Sequence, residues 1–197
     1  MGRFSAAYQR GFSLVELLLV LGVLALLLVA AFVVYPQVRD RNQANQEATN
    51  VRAIQSNIRG LFWSKGRYAG VGNGRGASAG PDRGIANAAR VFPPTMNNGD
   101  YSRDAEVRSS WGGNVWVWQR PAVTMASGTY PAARTFGVLY EDVPSSVCVP
   151  LVSAVSSGFV GVSVSGTEVV KAGGLDVAAM TAACNATPSG TIMFTSL

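Results

Sequence analysis

The sequence contains no histidine. That removes the side chain most often used as a general base near neutral pH, and the commonest metal ligand. Charge is scarce as well: Asp, Glu, Lys and Arg make up 14% of the 197 residues, with 16 basic against 11 acidic. No serine stands in a nucleophile-elbow motif, and no pair of carboxylates has a recognisable setting. The adjacent Glu141 and Asp142 read as solvated turn residues. Seven glycines fall between Gly66 and Gly84, but this stretch lacks the Gly-Lys-Ser/Thr ending of a phosphate loop. Together these absences argue against an enzyme, a metal site or a cofactor site, and no catalytic residue is expected.

What the chain does have is one long apolar run. Leu17 to Tyr35 is 19 residues without a charge. As a helix it would span about 28 Å at ~1.5 Å per residue, close to the ~30 Å hydrocarbon core of a bilayer. Glu16 sits at its start, where a carboxylate in lipid is costly and needs a partner or a purpose. Ahead lies a short basic leader, MGRFSAAYQRG. A cleavable secretory signal has an apolar core of ~7–15 residues and is cut after that core. Here the run is longer, and a cut at Gly11 would precede it. A plain signal anchor gains nothing from Glu16.

The stretch Gly11-Phe12-Ser13-Leu14-Val15-Glu16, followed by an apolar helix, resembles the processing site of type IV prepilins. That resemblance implies a prepilin peptidase that cuts after Gly11 and methylates the new N-terminus at Phe12. It further implies that Glu16 serves subunit assembly, meeting the methylated ammonium of Phe12 on a neighbouring subunit, or its own before docking. Glycine at the cut suits a narrow active site because it lacks a Cβ. Arg3 and Arg10 favour a cytoplasmic leader, with the head delivered across the membrane. Their loss would lower the formal charge from +5 to +3.

Beyond the apolar run, Pro36 should bend the helix. From Gln37 to Arg59 the helical period returns. Val38, Ala44, Ala48, Val51, Ile54 and Ile58 form an apolar stripe, with Arg39, Arg41, Glu47, Arg52 and Arg59 on the polar face. Gly60 is a natural stop. Residues 61–90 read as a long basic surface loop, anchored by Leu61, Phe62, Trp63 and Tyr68. Val91-Phe92-Pro93-Pro94 should be rigid and extended. In WGGNVWVWQ, Trp116 and Trp118 share one strand face, with Val115 and Val117 on the other. A further strand is expected at Thr135–Tyr140. A short helix should follow Pro144, with Val147, Leu151 and Val155 four apart despite Pro150. Phe159–Val164 and Thr167–Lys171 read as a hairpin turning at Ser165-Gly166, Leu175–Cys184 as a helix, and Thr191–Thr195 as a closing strand.

Cys148 and Cys184 are the chain's two cysteines. In an exported chain such a pair reads as one disulfide, whereas in the cytosol it would read as two free thiols. A bridge here would be worth roughly 4 kcal/mol in the chain-entropy model. The head resembles the type IVb pilins, including the PilS-like pilins of conjugative and enteric thin pili. The residues that carry this are Trp111-Gly112-Gly113, Phe136 to Tyr140, Val143-Pro144, and the cysteine pair. Phe12 is closer to the type IVa first residue, and Pro36 lies a few residues later than the family's usual proline.

The resemblance implies an α+β type IV pilin fold. A long N-terminal helix would pack on an antiparallel sheet head with a disulfide-closed C-terminal region. The expected divisions are 1–11 leader, 12–36 membrane and assembly half of the helix, 37–60 amphipathic half, and 61–197 head. The expected product is a structural subunit polymerised into a pilus for conjugation, adhesion or motility. The alternatives are a type II secretion pseudopilin, or a minor tip pilin binding DNA or a host surface through its basic loop. The partners implied are further copies of the chain, the prepilin peptidase, the pilus assembly machinery and the bacterial inner membrane. The precursor would be single-pass with a periplasmic head, and the mature protein extracellular.

Overall fold

The computed structural model describes residues 13–72 and 84–197. Gly11, Phe12, both leader arginines and the centre of the glycine-rich loop lie outside the described residues. The chain divides into two compact units, one ending at Arg39 and the other beginning at Asp40. Helix α1, Leu14–Phe62, contributes to both.

In the first unit α1 is built from Leu, Val and Ala, with Ser13 offering its carbonyl to Leu17 N at 3.1 Å. Its large apolar side chains are exposed from Leu14 to Phe32 and again at Val34 and Tyr35. The helix continues through Pro36, which has no N–H to donate and so removes one hydrogen bond.

The second unit carries the rest of α1 and a five-stranded antiparallel sheet. Its strands are β1 (Val115–Gln119), β4 (Phe136–Pro144), β9 (Ser189–Ser196), β5 (Gly161–Val164) and β6 (Thr167–Glu168), paired in that order. Ala44, Ala48, Val51, Ile54 and Ile58 are buried, as the helical period predicts. They join one core with Val115, Val117, Phe136, Val138, Tyr140, Ile192 and Phe194 from the sheet. Trp116 and Trp118 lie half-exposed on the opposite face of β1, so the expected alternation holds. Helix α3 (Ser145–Val155) buries Val147, Leu151 and Val155 and accommodates Pro150. Helix α4 (Val177–Asn185) is capped by Asp176, whose Oδ1 accepts from Ala179 N at 3.0 Å.

Several expectations are corrected. Gly60 does not end α1, which runs on to Phe62 because Phe62 still has a core to enter. Leu61 and Trp63 are exposed rather than anchoring, while Phe62 and Tyr68 do pack. Glu47 is 1% exposed instead of belonging to the polar face. Val38, assigned to the apolar stripe, is half exposed. The hairpin partner of β5 ends at Glu168; Val170–Lys171 (β7) instead pairs with Gly174–Leu175 (β8), so Leu175 precedes α4. The last strand is central, bonded to β4 on one side and β5 on the other. A hairpin of β2 (Val123–Met125) and β3 (Gly128–Tyr130), the one-turn helix α2 (Ile85–Ala88) and a 3-10 turn at Ser156–Gly158 complete the elements among the described residues.

Candidate functional site

Glu16 lies in the first turn of α1, where the unbonded N–H groups and the positive end of the helix dipole favour a carboxylate. It is exposed, as are the apolar residues that follow it. From Leu17 through Tyr35 the exposed surface carries no charge, and this helix is long and apolar enough to cross a membrane. Chemically the segment offers one anion at the head of an apolar rod. That can mark axial position in a low-dielectric bundle while the rod supplies adhesion.

The second unit is secured by polar contacts that its sequence only partly announces. Glu47 Oε1 accepts from Ser110 N at 2.7 Å, and its Oε2 accepts from Asn50 Nδ2 at 3.1 Å. A buried carboxylate therefore ties α1 to the turn that opens Trp111-Gly112-Gly113. Burial first, and then the nearby Glu47 charge, push the Tyr140 hydroxyl well above its usual range. Each residue of the Trp-Gly-Gly motif has a physical task. Trp111 Nε1 donates to Glu141 O at 3.1 Å. Gly112 turns the chain at φ +88°, and a Cβ on Gly113 would stand 2.0 Å from that same Glu141 oxygen. The Glu141 carboxylate accepts from Trp116 Nε1 at 2.9 Å, so it is not the solvated turn residue expected. Its neighbour Asp142 is exposed, at a β-bulge between Tyr140 and Val143.

Further along α1, Gln55 Nε2 donates to Gly158 O at 2.7 Å and to Ser196 Oγ at 2.8 Å. Arg59 Nε donates to Leu197 O at 2.6 Å. Arg52 donates to Ala154 O. The helix is thus latched to the end of α3 and to the last strand. Cys148 in α3 and Cys184 in α4 are joined as a disulfide with their Cα atoms 5.7 Å apart, and both are buried. The bridge fastens the late hairpins and α4 to the body.

The fold is similar to that of two solved pilins. A type IVb pilin from Salmonella typhi matches with TM-score 0.50 at 22% identity, over 76% of this chain and 97% of that one. TcpA, a type IV pilin from Vibrio cholerae El Tor biotype, matches with TM-score 0.52 at 15% identity, over 81% and 99%. No curated protein matches in sequence. An apolar N-terminal helix and an antiparallel head with a disulfide-closed C-terminal region make up the type IV pilin fold. Residues 41–197 match the PilS N-terminal family, to which the chain belongs, and residues 7–32 match the prokaryotic N-terminal methylation motif.

Proposed function

We propose that this chain is the structural subunit of a type IV pilus. It is made as a single-pass inner-membrane precursor, cleaved after Gly11 by a prepilin peptidase and methylated on Phe12. It then polymerises through α1, with Glu16 pairing with the Phe12 ammonium of another subunit. On this reading residues 1–11 are the leader, 12–36 the membrane and assembly half of the helix, 37–60 its amphipathic half, and 61–197 the head. The observation that carries it is the exposed, uncharged face from Leu17 to Tyr35 with Glu16 at its start, inside the stretch that matches the methylation motif. Arg3 and Arg10 support a cytoplasmic leader and a periplasmic head. Apolar contact between copies is heterologous and non-closing, so it propagates as a fibre. Mass spectrometry of the mature protein should find methylated Phe12 as the first residue. Retention of Met1, or a cut beyond Val29, would refute this processing. Gly11→Val should accumulate full-length precursor in the membrane.

A further inference from the structure

Arg120 follows β1 on the outer face of the sheet, the face that carries Trp116 and Trp118. Its stem crosses a lane that Gly137 leaves open: a Cβ there would lie 3.4 Å from Arg120 Cδ and 3.5 Å from Trp118 Cζ2. Among the described residues, Nη1 of Arg120 meets soft or neutral acceptors, Met193 Sδ at 2.9 Å and Thr195 Oγ1 at 3.1 Å. Its Nε is buried with no partner among the described residues. Burial lowers its proton affinity, and no described carboxylate offsets that effect. This half-buried guanidinium has no counter-ion among the described residues, and desolvating a cation without an anion is unfavourable.

An exposed carboxylate lies at the far end of the same ladder. Asp142 is exposed at the bulge of β4 and held at φ +53°, and its carboxylate makes no hydrogen bond or ion pair with a described residue. β1 and β4 pair from Val115↔Tyr140 to Gln119↔Phe136, so Arg120 and Asp142 are separated by roughly 20 Å at ~3.4 Å per residue. Within this unit, Arg120 belongs to the end where Phe62 and Tyr68 meet Phe136, and where Arg59, Lys65 and Arg134 add positive charge. Asp142 belongs to the end where Glu47 bonds Ser110.

We propose that Arg120 receives the Asp142 carboxylate of a second copy of this chain, in a head-to-tail contact between neighbouring heads. The proposal rests on the pilus-subunit reading. One copy offers the cation at one end and the anion at the other, so each subunit engages two different neighbours and the contact continues along a fibre. Electrostatic pairing of this kind fixes register and rejects wrong partners more than it adds adhesion.

The test uses filaments sheared from cells expressing the full chain. With Arg120→Cys and Asp142→Cys combined, a short bis-maleimide should give a ladder extending beyond the dimer, and neither single variant should. Arg120→Glu and Asp142→Lys should each lower filament yield roughly tenfold or more at unchanged subunit level, as expected when a close charge pair is lost. Combined in one chain, they should restore the yield to within about twofold of wild type. Asp142→Asn removes the charge but tolerates the left-handed backbone, so its loss of filaments cannot be put down to strain. Normal filaments from Arg120→Gln and Asp142→Asn would overturn the pairing while leaving the pilus-subunit reading intact. So would cross-links that stop at the dimer, or a double reversal that fails to rescue. Absence of filaments from the wild-type chain would sink both.

Discussion

At position 47 a carboxylate sits 1% exposed among apolar side chains, on a helix where period alone assigns it to solvent. Its two oxygens meet Ser110 N and Asn50 Nδ2, so the residue works as a hydrogen-bond acceptor inside the core. Glu47→Ala leaves those donors unpaired, each costing roughly 1–3 kcal/mol. Glu47→Gln keeps one acceptor oxygen and should lose less, and urea unfolding of the purified protein distinguishes the two. Tyr140 beside it is buried, and its hydroxyl has no hydrogen-bond partner of good geometry among the described residues. Its pKa is raised above the ordinary 10.0 by burial and by Glu47. The folded state therefore holds the phenolic proton more tightly than the unfolded state does. The stabilisation is fully present below pH about 10, and is lost as pH rises from there through the folded value. Tyr140→Phe should change stability near pH 7 by less than about 1 kcal/mol, because the hydroxyl it deletes meets Glu47 without a hydrogen bond of good geometry. It should also flatten the decline at high pH. Tyr68, also raised chiefly by burial, will contribute a remaining slope in the same direction.

Among the elements, α1 shows what a sequence pattern can and cannot carry. Gly60 stands inside the helix, and a Cβ there would meet nothing within 4 Å. Gly60→Ala should stabilise the fold by up to ~1 kcal/mol through helix propensity alone. That corresponds to a rise in melting temperature of roughly 2–4 °C; a fall would show that the glycine is needed for something the fold does not explain. The stripe from Ala44 to Ile58, the β1 alternation and the Val147, Leu151, Val155 spacing are legible because each repeats a period long enough to specify a face. The cysteine pair is legible because no third thiol competes for it. Two- and three-residue pairings such as β7–β8 and β2–β3 have too few side chains to show alternation, so they pass for loop. The central place of β9 depends on which strands bond on its two sides, and nothing within the eight residues Ser189–Ser196 records that. Glu47 escaped for a related reason. Its partner from outside the helix is the backbone amide of Ser110, and backbone donors leave no mark in a sequence.

For the whole molecule, the question is whether Glu16 assembles subunits or merely tolerates its position. If it has no partner, Glu16→Val removes a charge from an apolar helix, so membrane insertion should be unchanged or improved. If it receives the N-terminus of another subunit, the same variant should still be processed and inserted, yet filaments should fail. The incoming helix would lose the one charge at the head of its uncharged run. Glu16→Asp shortens the reach by one methylene and should give an intermediate yield, since pairing depends on close approach in a medium of low dielectric. Coexpression with wild type adds a measurement that folding defects cannot imitate. A pairing role predicts that variant subunits are under-represented in sheared filaments relative to their level in the membrane, whereas a passive role predicts equal fractions. The Arg120–Asp142 contact supplies an internal control, because charge changes there should reduce filament yield without altering that of the methylated N-terminus. Abundant pili built from Glu16→Val subunits alone would remove the assembly role and leave α1 as an anchor.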